Sequence, residues 1–141
     1  MRILICAMAL SLLACSVDPV PLVYGVDQCH HCKMTLMDRK FGAELVTKKG
    51  KVYKFDDINC LLSFYKSEND IKENYQYILI VDFSKTEKLI NAEKAYFLKS
   101  SEIKSPMASE VAGFESENEA LKKQWKATPL TWNDLQKQFG Q

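Results

Sequence analysis

Histidine is nearly absent from this chain: two in 141 residues, His30 and His31, side by side. Nothing is spaced to orient either one, so a Ser/His/Asp hydrolase has no second and third member to recruit. Glycine numbers five and forms no Gly-rich phosphate loop. Charge of one sign is lacking too. Nineteen basic and eighteen acidic residues leave a formal net charge of +1, with no long Lys/Arg run to serve nucleic acid. The one long apolar run, residues 3–13, is too short to cross a bilayer. There is also no second C-x-x-C or H-x-H, which a closed structural zinc site would need. At 47% hydrophobic and 26% charged the chain is globular. Its length suits one modest core or two very small units, not a large α/β enzyme.

The apolar run follows Arg2 and ends at Leu12-Leu13-Ala14, directly before Cys15. A charged start, a short apolar stretch and a small residue make an export signal over residues 1–14. The L-L-A-C junction resembles the lipobox of bacterial lipoproteins. It implies cleavage before Cys15, acylation of its sulfur, and a tethered domain facing the periplasm. Ser16 after that cysteine is not the retention aspartate of the inner membrane, which favours the outer membrane. Removing 14 of the 141 residues leaves 127, formally neutral, with three thiols: Cys29, Cys32 and Cys60. An odd thiol count in an oxidising compartment cannot pair completely within one chain.

Residues 15–23, with two of the four prolines, read as a lipidated tether. Residues 41–47 and 51–56, joined by Lys48-Lys49-Gly50, predict a β-hairpin. In 57–67, Ile58, Leu61, Leu62 and Tyr65 mark one helix face, with Asp57 as N-cap. Residues 75–83 and 94–98 predict strands. A helix opened by Ser116 is expected over 114–126, and a last short helix between Thr131 and Gly140. Phe55, Asp56, Asn59 and Leu62 match Phe114, Glu115, Asn118 and Leu121 in spacing, and each set follows a lone methionine, Met34 or Met107. The period near 60 suits a duplicated β-β-α-β unit, with a first unit at 24–90 and a second at 91–141.

The chemistry concentrates in Cys29-His30-His31-Cys32-Lys33-Met34. A thioether two residues after a C-x-x-C favours a soft ion, Cu(I), because zinc takes thiolate and imidazole but rarely thioether. Haem attachment fails because Lys33 follows the second cysteine where histidine is required. A thiol redox pair and a plain Cys29/Cys32 disulfide are the alternatives. Met107, after Pro106 in a loop, is a second thioether candidate. Either histidine could add a nitrogen. Met37 reads as packing, Cys60 as a buried inert thiol, and Asp56 and Asp57 as a solvated helix start.

These residues taken together resemble the NosL family, the copper-chaperone lipoproteins accessory to nitrous oxide reductase. The likeness runs over about residues 24–126: Cys29-x-x-Cys32-x-Met34, Phe41-Gly-Ala-Glu-Leu-Val, Phe55-Asp-Asp-Ile-Asn-Cys60 and Pro106-Met107-Ala-Ser. Lys33 stands where the family often has glycine. The resemblance implies an α+β fold of two small homologous β-β-α-β units, similar to part of the organomercurial lyases. It implies no enzyme activity but Cu(I) binding by Cys29, Cys32, Met34 and Met107. The partners it implies are the periplasmic assembly proteins of the reductase's copper centres. The membrane would be reached through lipid at Cys15, and a dimer sharing metal ligands is compatible with the count. The alternative function is a periplasmic thiol oxidoreductase using Cys29 and Cys32.

Overall fold

The structure is a computed structural model and describes residues 17–67 and 74–139. The export signal, Cys15, Ser16 and Gly140 lie outside the described residues. The first hairpin pairs β1 (Ala43–Thr47) with β2 (Val52–Phe55) in antiparallel register, Ala43 facing Phe55 and Val46 facing Val52. Gly50, at φ +81°, supplies the left-handed turn residue that joins them. Helix α1 (Ile58–Ser67) follows, and Asp57 caps it. The Asp57 carbonyl accepts Leu61 N–H at 3.2 Å, and its Oδ1 accepts Asn59 N–H at 3.2 Å.

Strand β3 (Tyr75–Val81) returns along the other edge of β1, and β4 (Leu89–Asn91) extends the sheet to the order β2-β1-β3-β4. A single 3-10 turn at Ala92–Lys94 leads into β5 (Tyr96–Lys99). Then come β6 (Val111–Phe114), helix α2 (Glu117–Leu121), β7 (Thr128–Leu130) and helix α3 (Trp132–Phe139). The second sheet runs β6-β5-β7. It repeats β2-β1-β3, with α2 in the place of α1. The fold is therefore α+β, built from two β-β-α-β units, as the Phe55/Phe114 correspondence suggested. Both phenylalanines are fully buried at the strand end before their helix.

Strand alternation explains how the units meet. Phe97 and Gly113 face each other across β5 and β6 and look toward β3, whereas Leu98 and Ala112 look away. A Cβ at Gly113 would come within 2.1 Å of Ile80 Cδ1, so a side chain here would displace Ile80 from the seam between the sheets. The main core accordingly takes Phe55, Leu61 and Ile80 from one unit and Phe97, Val111 and Leu135 from the other. A smaller cluster around Phe114, Ala120 and Ile103 fills the outer face of the second sheet.

Several expectations need correction. The helix expected over 114–126 is confined to Glu117–Leu121, because Phe114 ends a strand and Gln124 turns left-handed at φ 53°. Strand β7 contains Pro129, and it lies at a sheet edge where a missing N–H is tolerated. Residues 17–23, read as a tether, lie along the first hairpin. Val17 sits beside Gly50, Val20 N–H donates to Glu44 Oε1 at 3.0 Å, and Lys54 Nζ donates to the Pro21 carbonyl at 2.9 Å. Leu22 is buried against Gly42.

Candidate metal centre

The segment 29–34 is a closed loop because its backbone is tied at both ends. Cys29 N–H donates to the Met34 carbonyl at 2.8 Å, and Lys33 N–H donates to the Cys29 carbonyl at 3.0 Å. The reversal needs a left-handed residue, and Lys33 takes it at φ 66°. Its Nζ reaches back to the His30 carbonyl. His30 N–H donates to the Lys54 carbonyl at 2.7 Å, which pins the loop to β2. The His30 ring packs edge-on against Tyr53 and Phe64, with centroids 4.7 Å and 5.1 Å away.

This folding carries Cys29 and Cys32 onto the start of α1, where Cys60 waits. The three sulfurs lie within 4.8 Å of one another. Two sulfurs bound to one ion at about 2.3 Å can be no more than about 4.6 Å apart, so the cluster is already close to ligating span. Cys29 and Cys60 are buried and Cys32 is half-buried, all as free thiols, so the site has one open side. Cys60, expected to be an inert core thiol, is thus the third member of the cluster. The one signal that could have found it was its place in Phe-Asp-Asp-x-x-Cys, five residues past the strand end.

The electrostatics favour a single negative charge on the cluster. The Cys60 thiol hydrogen-bonds Cys29, and the Cys32 and Asp56 backbone N–H groups add to this, so Cys29 lies well below the usual thiol range despite its burial. The same hydrogen bond holds the proton on Cys60 and raises it, with burial acting in the same direction. Burial also raises Cys32, against the pull of the Met34 N–H. Asp56 is pushed up to about 6 by burial and by the Cys29 charge, with Met37 N–H opposing. Neither Asp56 nor Asp57 is the solvated helix start expected; both are buried.

The thioethers occupy different settings. Met34 follows the loop directly and is 55% exposed. Met37, expected as packing, is 70% exposed. Met107 is partly buried against the main core, and its N–H donates to Asp57 Oδ2 at 3.0 Å. Asp57 precedes Cys60 by one helical turn, so the Met107 loop of the second unit is held at the same end of α1 as the thiols. Thiolate and thioether donors on a partly open site suit a soft metal ion that must exchange.

Comparison with known proteins bears on the fold and the family. Among solved structures, the crystal structure of the copper chaperone NosL from Shewanella denitrificans matches with a TM-score of 0.67 and 21% identity. The match covers 84% of this chain and 96% of that one. No curated protein matches. The sequence profile of the NosL family matches residues 20–128, from the strap on β1 through the thiol loop and Met107 to β7. A match over that much of the chain makes it a member of the NosL family.

Proposed function

We propose that this protein is a carrier that captures Cu(I) in the nest of Cys29, Cys32 and Cys60 and passes it to the assembly machinery of the nitrous oxide reductase copper centres. The observation that carries the reading is the convergence of three sulfurs within 4.8 Å on a half-open site. Membership of the NosL family and the likeness to a copper chaperone support it. Met34 and Met107 supply thioethers on the open side. These need no deprotonation and do not form disulfides, which suits an oxidising compartment. No bond of a substrate is made or broken. The ion leaves by stepwise ligand exchange to a partner with its own soft donors. Acylation of Cys15 holds the carrier on the periplasmic face of the outer membrane, and several acyl chains suffice for stable attachment.

Anaerobic titration of the reduced protein with Cu(I) against a competing chelator tests the site. A dissociation constant below micromolar is expected, weakened at least tenfold in Met34→Ala and in Met107→Ala. Binding no tighter than micromolar sinks the reading. The rival, thiol–disulfide exchange at Cys29 and Cys32, predicts turnover with a dithiol reductant and a disulfide substrate. For the client, deletion of the gene should leave nitrous oxide reductase assembled but deficient in copper.

A further inference from the structure

The lysine turn of the first hairpin lies where the chain comes from its lipid. Val17 packs beside Gly50, with its Cγ2 4.0 Å from where a Cβ on Gly50 would stand. Cys15 is only two residues upstream, at most about 7 Å of extended chain. Beyond Val17 there is no slack. Val20 is bonded to Glu44, Pro21 to Lys54, and Leu22 is wedged against Gly42. The strap therefore runs along the hairpin from its turn to its base and fixes which end points toward the anchor.

That end is basic. Lys48, Lys49 and Lys51 are exposed and crowd into four residues, and no acidic residue stands between Thr47 and Tyr53. Asp18, next to Val17, is the acidic residue of the adjoining strap. The thiol nest lies at the other end. Cys29 takes the Asp56 N–H, just past Phe55, which pairs with Ala43 at the hairpin base. Five residues of extended chain from Lys51 to Asp56 span about 17 Å. An anionic surface at the turn is screened within about 8 Å at physiological ionic strength, so it would leave the nest undisturbed.

We propose that the turn formed by Lys48, Lys49 and Lys51 is a membrane-contact surface. It docks on anionic phospholipid headgroups and holds the thiol nest facing away from the bilayer, toward a copper-accepting partner. The proposal rests on acylation of Cys15 in the function proposed above. Each lysine near an anionic leaflet strengthens such contact by about fivefold, so three of them fix an orientation that the lipid alone would not.

Amine acylation of the full lipidated protein, read residue by residue by mass spectrometry, tests it. The protein is compared in neutral detergent micelles, in phosphatidylcholine vesicles, and in vesicles with 30% phosphatidylglycerol. Lys48, Lys49 and Lys51 should react at least fivefold more slowly in the phosphatidylglycerol vesicles than in micelles. Phosphatidylcholine vesicles should protect them less, and Lys122 and Lys123 should react at the same rate in all three. Equal reactivity of the turn lysines in vesicles that retain the protein overturns the proposal, and so does equal protection of Lys122. If Cys15 carries no acyl mass and the protein leaves the vesicles, the anchor reading has failed and this surface falls with it. An acylated Cys15 with unprotected turn lysines overturns the surface alone.

Discussion

Cys60 is buried like many inert cysteines, yet its sulfur faces two other thiols rather than a wall of methyl groups. If it is a ligand, Cys60→Ser should weaken Cu(I) binding at least tenfold, about 1.4 kcal/mol, while leaving the far-UV circular dichroism unchanged. An unaltered affinity in the chelator competition would show that Cys29 and Cys32 suffice. Lys33 poses a different question. A lysine at φ 66° carries strain that glycine does not. Lys33→Gly should keep the fold and the copper affinity, whereas the β-branched Lys33→Val should lower stability by more than about 1 kcal/mol in urea unfolding. Equal stability of the two variants would mean that backbone strain does not matter in this loop. The thiol loop was readable in the sequence because its spacing is local. The part played by Cys60 was not, because burial alone makes a cysteine look inert, and only the fold brings α1 to the loop.

Strands and helices with clear periodicity were legible: the hairpin, α1, β3 and α3, the last with Thr131 and Asp134 capping each other. Three strands were not. Strand β4 is three residues long, β7 contains Pro129, and β6 is hidden in the apparent start of a helix at Phe114. The strap was misread for a related reason, since prolines and the lack of a period look alike in a free linker and in a bound extended segment. Glu44 shows how firmly it is bound. Its side chain is fully buried on β1 with Oε1 on Val20 N–H, while Oε2 has no hydrogen-bond partner, and burial raises its carboxyl above the usual range. An acid raised in the folded state holds its proton there longer than in the unfolded chain. Stability is therefore lost as pH rises from about 4.5 through the folded value. Glu44→Gln keeps an oxygen for Val20 and removes the buried charge. It should raise the melting temperature at pH 7 and flatten its fall between pH 4.5 and 7; a lower melting temperature at pH 7 would contradict this.

At the scale of the molecule the two units share one core. Gly113 admits the second sheet against Ile80, and Asp57 reaches across to hold the Met107 loop. The unit that carries the thiols thus depends on its neighbour for much of its packing, and it holds the neighbour's Met107 loop at the same end of α1 as the thiols. Two consequences can be measured together by calorimetry. Apoprotein should unfold in a single transition, because separating the sheets would expose Phe97, Val111 and Ile80 at once. On the proposed function, Cu(I) that binds only the folded state should add about 2.7 kcal/mol when its free concentration is 100 times the dissociation constant, enough for a shift of about 10 °C in a chain of this size. Asp57→Ala leaves the Met107 N–H without its acceptor and should cost about 1–3 kcal/mol in the apoprotein. If the bond also serves the metal, that variant should lose part of the copper-induced shift as well, while Asp57→Asn, whose single amide oxygen can accept from Asn59 or Met107 but not both, should lose less of it. Were Asp57→Ala to lower the apo transition yet keep the whole copper-induced shift, Asp57 would join the units without helping to hold the ion, and Met107 would not be a donor placed by it.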